Sequence, residues 1–408
     1  MLLTSPLAES IYASIKDLPI VDYHTHLPAD EVLNDHTFAD LWELWLKHDH
    51  YKWRLMRGCG VEEKFVTGEA SPYEKFLAFA SIMPLSIGNP VYQWAHMELE
   101  AVFGITDLLS AETAPAIWDQ ANAQLAKGIS VNSLLKQFNV ELIGTTDDPF
   151  DSLDDHQSLV ERQHAVKVLP TYRPDPYLLQ DEIDLEALKA RHDYFHERGC
   201  KMSDHGIAQI PEKGTPAFNA LVEIAKWNHE KDWVMQLHLG PLRNVNTRTF
   251  ETSGRDSGLD TMGSWAQTDR LITFLDELNK TDQLPKTIVY NLNPNESAAL
   301  CCGIQSFQQG PTAGKLQYGP AWWHLDHVPG IQEQLQLITS LSALGTHIGM
   351  LTDSRSFTSY VRHDYYRRIL SSFIADKAIS GEMPHNESLL IQTAQNIAYY
   401  NVKAYLNL

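Results

Sequence analysis

Leu18-Pro19-Ile20-Val21-Asp22-Tyr23-His24-Thr25-His26-Leu27 is the stretch whose reading decides the fold. It is a short apolar run that ends in a His-x-His pair. In a strand, residues i and i+2 point to the same side, so the imidazoles of His24 and His26 can reach one point beyond the strand's end. Two neutral imidazoles at one point hold a first-row divalent metal. The chain has 18 histidines, so the pair alone is weak evidence. Its weight comes from what the rest of the chain brings to the same place.

Seven more short apolar runs follow, each turning polar at its C-terminal end. With the first at 19–23, they lie at 140–144, 165–169, 200–202, 233–237, 287–290, 316–319 and 346–351. The run at 200–202 is the shortest, with Ser203-Asp204-His205-Gly206 read as the polar stretch beyond it. Between most of the runs lie stretches of helical periodicity, such as 267–278 and 331–344. Strand–helix alternation of this kind makes βα units around a parallel sheet, and eight units make a (β/α)8 TIM barrel. A doubly wound open sheet is the alternative. We expect one barrel over 1–408, interrupted after its first strand by a Trp- and Tyr-rich helical insertion at 28–135. Such an insertion sits over the C-terminal mouth, where barrel active sites lie. A helical tail is expected at 360–408.

In a barrel, residues just past the strand ends converge on one rim. His24, His26, His238 and Asp353 fall at the ends of strands one, one, five and eight, and strands one and eight are neighbours once the barrel closes. Two imidazoles and a carboxylate with open positions make a catalytic metal site. His238 is a third nitrogen ligand, a contact to substrate, or a satisfied buried histidine. Asp353 has its own competing role as a cap for a following helix. Arg173, Arg355 and, from the insertion, Arg54 lie near the same rim. An arginine offers a bidentate fork to an anion, so the substrate is expected to be anionic. A local ion pair within Arg173-Pro174-Asp175 is the alternative for Arg173. Trp322 and Trp323 can stack on a sugar, or pack under the insertion; Tyr318 reads as core.

The 32 basic and 52 acidic residues give a net charge of −20, which argues against a nucleic-acid footprint. No apolar run is long enough to span a membrane. The four cysteines have no metal-binding spacing. With no secretory pattern at the N-terminus, we expect a cytoplasmic protein.

The motifs together resemble those of the uronate (glucuronate) isomerases, a branch of the amidohydrolase superfamily. They are His24-Thr25-His26-Leu27-Pro28, Asp49-His50-Tyr51-Lys52-Trp53-Arg54 with Met56-Arg57, Gly88-Asn89-Pro90 and Thr146-Asp147-Asp148-Pro149. Arg173-Pro174-Asp175, the segment from His238 to Asn244, Leu292-Asn293-Pro294 and Gly319-Pro320-Ala321-Trp322-Trp323 continue the match. The segment from Gly349 to Phe357 completes it, with Tyr360 and Arg362-His363 beyond.

The resemblance implies interconversion of D-glucuronate with D-fructuronate and of D-galacturonate with D-tagaturonate. It implies one divalent metal, zinc in that family, on His24, His26 and Asp353. Asn291 and Asn293 stand where related hydrolases carry a histidine, which favours a single metal. Against this background, Asp353 is expected to handle the transferred proton, with His50 and Tyr51 shuttling protons at the substrate oxygens. Arg173, Arg355, His238, Trp322 and Trp323 are expected to bind substrate. A metal-dependent hydrolase or decarboxylase of a small anion on the same barrel is the alternative function. A homo-oligomer is expected. The stretch between His205 and His238 is more compact than in the family pattern.

Overall fold

A computed structural model describes residues 2–408. The barrel strands are β1 (Ile20–Asp22), β2 (Val140–Gly144), β3 (Lys167–Leu169), β4 (Thr171–Tyr172), β5 (Met202–Ile207) and β6 (Val234–Leu239). A short antiparallel pair, β7 (Pro241–Leu242) and β8 (Thr261–Met262), follows, and then β9 (Lys286–Asn291) and β10 (Leu316–Tyr318). Their spatial order is β1-β2-β3 and β4-β5-β6-β9-β10, with every pair in both sets parallel. A parallel bridge between Asp147 and Tyr172 joins the two sets. The result is a TIM-barrel-like α/β fold whose strands are nearly all buried on both faces, as a sheet wrapped in helices requires.

The eighth run, expected as a strand at 346–351, does not form one: Leu344–Thr346 is a single 3-10 turn and the residues after it lack a ladder. Closure is achieved by other bonds. The Asp353 amide donates to the His24 carbonyl at 3.1 Å, and the His26 amide to the Ser354 carbonyl at 2.9 Å. Asp22, fully buried, accepts from the Thr352 amide at 2.8 Å and its hydroxyl at 2.6 Å. These bonds hold the two ends of the barrel in register without a continuous strand. Gly144 shows how tight the packing is, since a Cβ there would lie 2.4 Å from the Tyr23 carbonyl oxygen. That distance excludes any side chain.

Between β1 and β2 the chain forms a series of helices, among them Leu41–Trp45, His50–Gly58 and Pro90–Phe103. Asp49 caps the second of these through the amides of Tyr51 and Lys52. Lys52 on that helix is buried and reaches Glu98 on the third at 2.9 Å and the Trp45 carbonyl at 3.0 Å. Removing either partner of such a buried pair costs about 3–5 kcal/mol, so the Asp49–Arg54 motif is held firmly. At the other end, the helix Val361–Ile379 ties the termini together: Arg367 donates to the carbonyls of Lys16 and Pro19, both at 3.0 Å. Among the described residues, no helix is long and apolar enough to cross a membrane.

Candidate active site

His24 and His26 leave β1 on the same side, as the i, i+2 spacing requires. Their Nε2 atoms lie 3.2 and 3.1 Å from Oδ1 of Asp353. Asp353 caps no helix. The next α-helix begins at Val361, and the aspartate's backbone is in the left-handed region, with φ of 49°. Its Oδ2 accepts a hydrogen bond from Trp322 Nε1 at 2.6 Å. Burial opposes ionisation of Asp353, but hydrogen bonding from the two histidines outweighs it and holds the carboxyl well below the usual range.

Among the described residues, two groups bring three potential ligand atoms within 4.8 Å of one another: His24, His26 and Asp353, and His24, Asp204 and His238. The first suits a divalent metal, with two imidazole nitrogens and one carboxylate oxygen facing a common point. In the second, Asp204 already has a cation, for Arg173 Nη1 lies 3.1 Å from its Oδ2. Its Oδ1 accepts from His238 Nδ1 at 2.6 Å. Burial works against the Asp204 charge, yet Arg173, His24 and His238 together hold this carboxyl well below its ordinary range. His238 therefore presents a buried Nε2 with no hydrogen-bond partner. Its ring stacks on Tyr290 at 4.0 Å and lies 4.6 Å from that of His24.

His50 and Tyr51 line a narrow cavity together with Asp353, Ser354 and Arg355. Their rings stack at 4.6 Å. Burial pushes the His50 pKa down and the Tyr51 pKa far up, so both are uncharged near neutrality. The Tyr51 hydroxyl is buried without a hydrogen-bond partner. An outer cleft of about 170 Å³ continues past His26, His48, Asp49 and Arg355.

The arginines divide. Arg173 is held by Asp204 and, through Nε at 3.2 Å, by Asp175, so the local ion pair does form alongside the contact with the site. Arg355 Nη2 lies 3.3 Å from Asp256, a half-exposed residue of the loop before β8. Arg54 turns away and donates to the Asp260 carbonyl at 2.7 Å, fastening that same loop. Trp322 and Trp323 are both buried, and Tyr318 packs in the core.

The sequence reading passed over three acidic or basic partners. Asp204 lies within β5, not beyond a strand ending at 202, because the strand runs on through the polar Ser203-Asp204-His205. Alternation along that strand was the available signal: Asp204 turns toward Arg173 and His238, while Ser203 and His205 turn the other way. Asp175 was read only as a local partner. Arg243 was noted as part of a motif. Its Nη2 lies 3.5 Å from where a Cβ on Gly206 would sit, and Arg173 Nη2 lies 2.2 Å from the same point, so the two guanidinium groups converge where Gly206 leaves room.

The family model for glucuronate isomerase matches residues 1–184 and 212–406. This chain belongs to the glucuronate isomerase family. It is 40% identical to the uronate isomerase of Solibacter usitatus, covering all of this chain and 98% of that one. It is 41% identical to that of Bacillus pumilus, covering 99% and 95%. Among solved structures, the uronate isomerase of Thermotoga maritima superposes with a TM-score of 0.91 at 31% identity, over 99% of this chain and 98% of that one. Glucuronate isomerase from Caulobacter crescentus gives 0.90 at 26% identity, over 100% and 96%. The Solibacter alignment spans 457 residues against 408 here, so the relative carries positions that this chain lacks. The family match is interrupted at 185–211, mostly upstream of the compact stretch that the sequence reading singled out.

Proposed function

We propose that this protein interconverts D-glucuronate with D-fructuronate and D-galacturonate with D-tagaturonate, by moving a proton between C2 and C1. The observation that carries this reading is the convergence of the His24, His26 and Asp353 cluster with the arginines, in a chain related over its length to uronate isomerases. A divalent ion, zinc as the favoured choice, would be held by His24, His26 and Asp353. When bound, it would polarise the sugar's oxygens.

The chain's own residues divide the remaining work. Arg173 and Arg243, whose guanidinium groups converge at Gly206, supply paired donors for the substrate carboxylate, and Arg355 in the cavity lining is a further clamp. Gripping the far end of the sugar brings C1 and C2 into register over the base. Asp353, ionised and oriented by Trp322, takes the C2 proton, exchanges with solvent, and returns a proton to C1. Tyr51 and His50, both uncharged, donate to or accept from the two sugar oxygens as the carbonyl moves from C1 to C2. His238 keeps its Nε2 lone pair free because Asp204 holds its Nδ1–H, so it acts as an acceptor toward a sugar hydroxyl. Trp322 and Trp323 wall the site.

Turnover of C2-deuterated D-glucuronate in water, and of unlabelled substrate in D2O, tests the proton route. Solvent hydrogen at C1 of the ketose supports transfer through Asp353. Complete retention of the substrate deuterium at C1, with no solvent label at any stage, would replace it with a hydride shift.

A further inference from the structure

A continuous file of buried polar groups crosses the barrel wall behind Arg173. It begins on the helix Pro216–Glu230 and its C-cap Lys231, and on the neighbouring helix Leu185–Glu197. Lys231 Nζ lies 3.0 Å from His192 Nδ1, and His192 Nε2 lies 2.9 Å from Asn228 Oδ1. Asn228 Nδ2 donates to Ser203 Oγ at 2.8 Å, and Ser203 Oγ lies 3.0 Å from His205 Nε2. His205 Nδ1 faces Asp175 Oδ1 at 3.3 Å, the longest step and a close approach without hydrogen-bond geometry, and neither of these buried atoms has a hydrogen-bond partner. Asp175 Oδ2 accepts from Arg173 Nε at 3.2 Å and from the Gly206 amide at 2.7 Å. His192, Ser203, His205 and Asn228 are fully buried.

The direction of every bond is set by the ends. Lysine only donates and a carboxylate only accepts. His192 therefore accepts at Nδ1 and donates from Nε2. Burial keeps it neutral, with a pKa pushed down to about 3. Asn228 relays the direction through its amide and Ser203 through its hydroxyl. The Ser203 hydroxyl proton has no acceptor other than His205 Nε2, so His205 accepts there and carries its proton on Nδ1, toward Asp175. Helices pack on the outer face of a barrel strand through apolar residues, so this polar file is a departure from what packing alone would select. An unsatisfied member would cost about 1–3 kcal/mol.

We propose that Ser203 and Asn228 are positioning residues. The file they complete fixes His205 as its Nδ1–H tautomer, and through Asp175 it fixes the guanidinium of Arg173 in the plane that meets the substrate carboxylate. In the opposite tautomer a bare Nδ1 lone pair would face Asp175 Oδ1. The carboxylate would turn, releasing Arg173 Nε and the Gly206 amide. This inference rests on the assignment of Arg173 as a substrate clamp.

The test uses the metal-loaded full chain. Ser203→Ala removes the hydroxyl donor to His205, and Asn228→Asp removes the amide donor to Ser203 while keeping the shape. The histidine nitrogen-15 spectrum, with His205 assigned by His205→Asn, reads the tautomer without substrate. Steady-state kinetics on D-glucuronate read KM and kcat separately, and a thermal melt reads stability. The expected result is an Nδ1–H His205 in the parent, loss of that signature in both variants, and a KM raised about tenfold with metal content unchanged. Ser203→Thr, which keeps the hydroxyl, should keep the tautomer. An Nε2–H tautomer in the parent overturns the proposal. So does a variant whose melting temperature falls while tautomer and KM stay as in the parent. If the parent turns over neither uronate, the functional reading fails by itself, and the tautomers of the parent and Ser203→Ala still decide the file.

Discussion

Trp322 Nε1 donates to Asp353 Oδ2 at 2.6 Å, while Oδ1 of the same carboxylate faces His24 and His26 at 3.2 and 3.1 Å. The two oxygens of one aspartate thus have separate duties. One belongs to the histidine pair, and the other is aimed by an indole.

Trp322→Phe keeps an aromatic wall but loses that donor. A hydrogen bond to a charged group is worth about 1.5–3 kcal/mol, so kcat should fall roughly tenfold or more while the metal stays bound. Elemental analysis beside steady-state kinetics checks this. Unchanged kcat would reduce Trp322 to a packing residue.

Tyr51→Phe removes only a hydroxyl that has no hydrogen-bond partner within the protein. Stability should therefore change little, and kcat should fall by about tenfold or more, the lower range for a lost proton-transfer group. A lowered melting temperature with normal kcat would return Tyr51 to the packing of the helix His50–Gly58.

Arg355→Lys keeps the charge and loses the planar fork. If Arg355 leaves Asp256 for a substrate oxygen pair, kcat/KM should drop by about 2–4 kcal/mol. Activity within about threefold of the parent would leave Arg355 as a partner of the loop alone.

His347 carries a stability prediction away from the site. It is buried, its Nδ1 has no hydrogen-bond partner, and burial lowers its pKa from 6.5 to about 3. A histidine with a depressed folded pKa binds its proton more readily when unfolded. Its stabilising effect is therefore present above the unfolded pKa and is lost as pH falls below it. Between pH 7.5 and 5.5 the loss from this one group is about 1.4 kcal/mol. His347→Gln should flatten the fall in unfolding free energy by about that amount, read from denaturant titrations at both pH values. An equal slope in the variant would show that His347 titrates normally.

The parts of the site that the sequence made legible are those fixed by local geometry. The two histidines were legible from their His-x-His spacing just beyond the strand Ile20–Asp22, and Asp353 from its place at the rim. The eighth run misled because it has strand-like composition, yet it closes the barrel through Asp22, Thr352 and the His24 carbonyl instead of a ladder. β5 misled in the opposite sense. Its centre is Ser203-Asp204-His205, polar enough to read as loop, because one face serves Arg173 and the other serves Asn228. Trp322 read as a sugar platform or as packing under the insertion, because an indole's flat apolar face is evident from sequence. The bond its N–H makes to a residue 31 positions away is not.

The central claim is that the cluster of His24, His26 and Asp353, loaded with a divalent metal, isomerises uronates. The most direct measurement is carbon-13 NMR with mass spectrometry of D-glucuronate and, separately, D-galacturonate incubated with the metal-loaded protein, with the chelator-stripped protein and with Asp353→Asn supplied with the same metal. The account predicts a ketose of unchanged mass from the first alone, with activity restored to the stripped protein by added metal. Unaltered D-glucuronate and D-galacturonate after incubation with fully loaded protein, or a product of different mass, would contradict it.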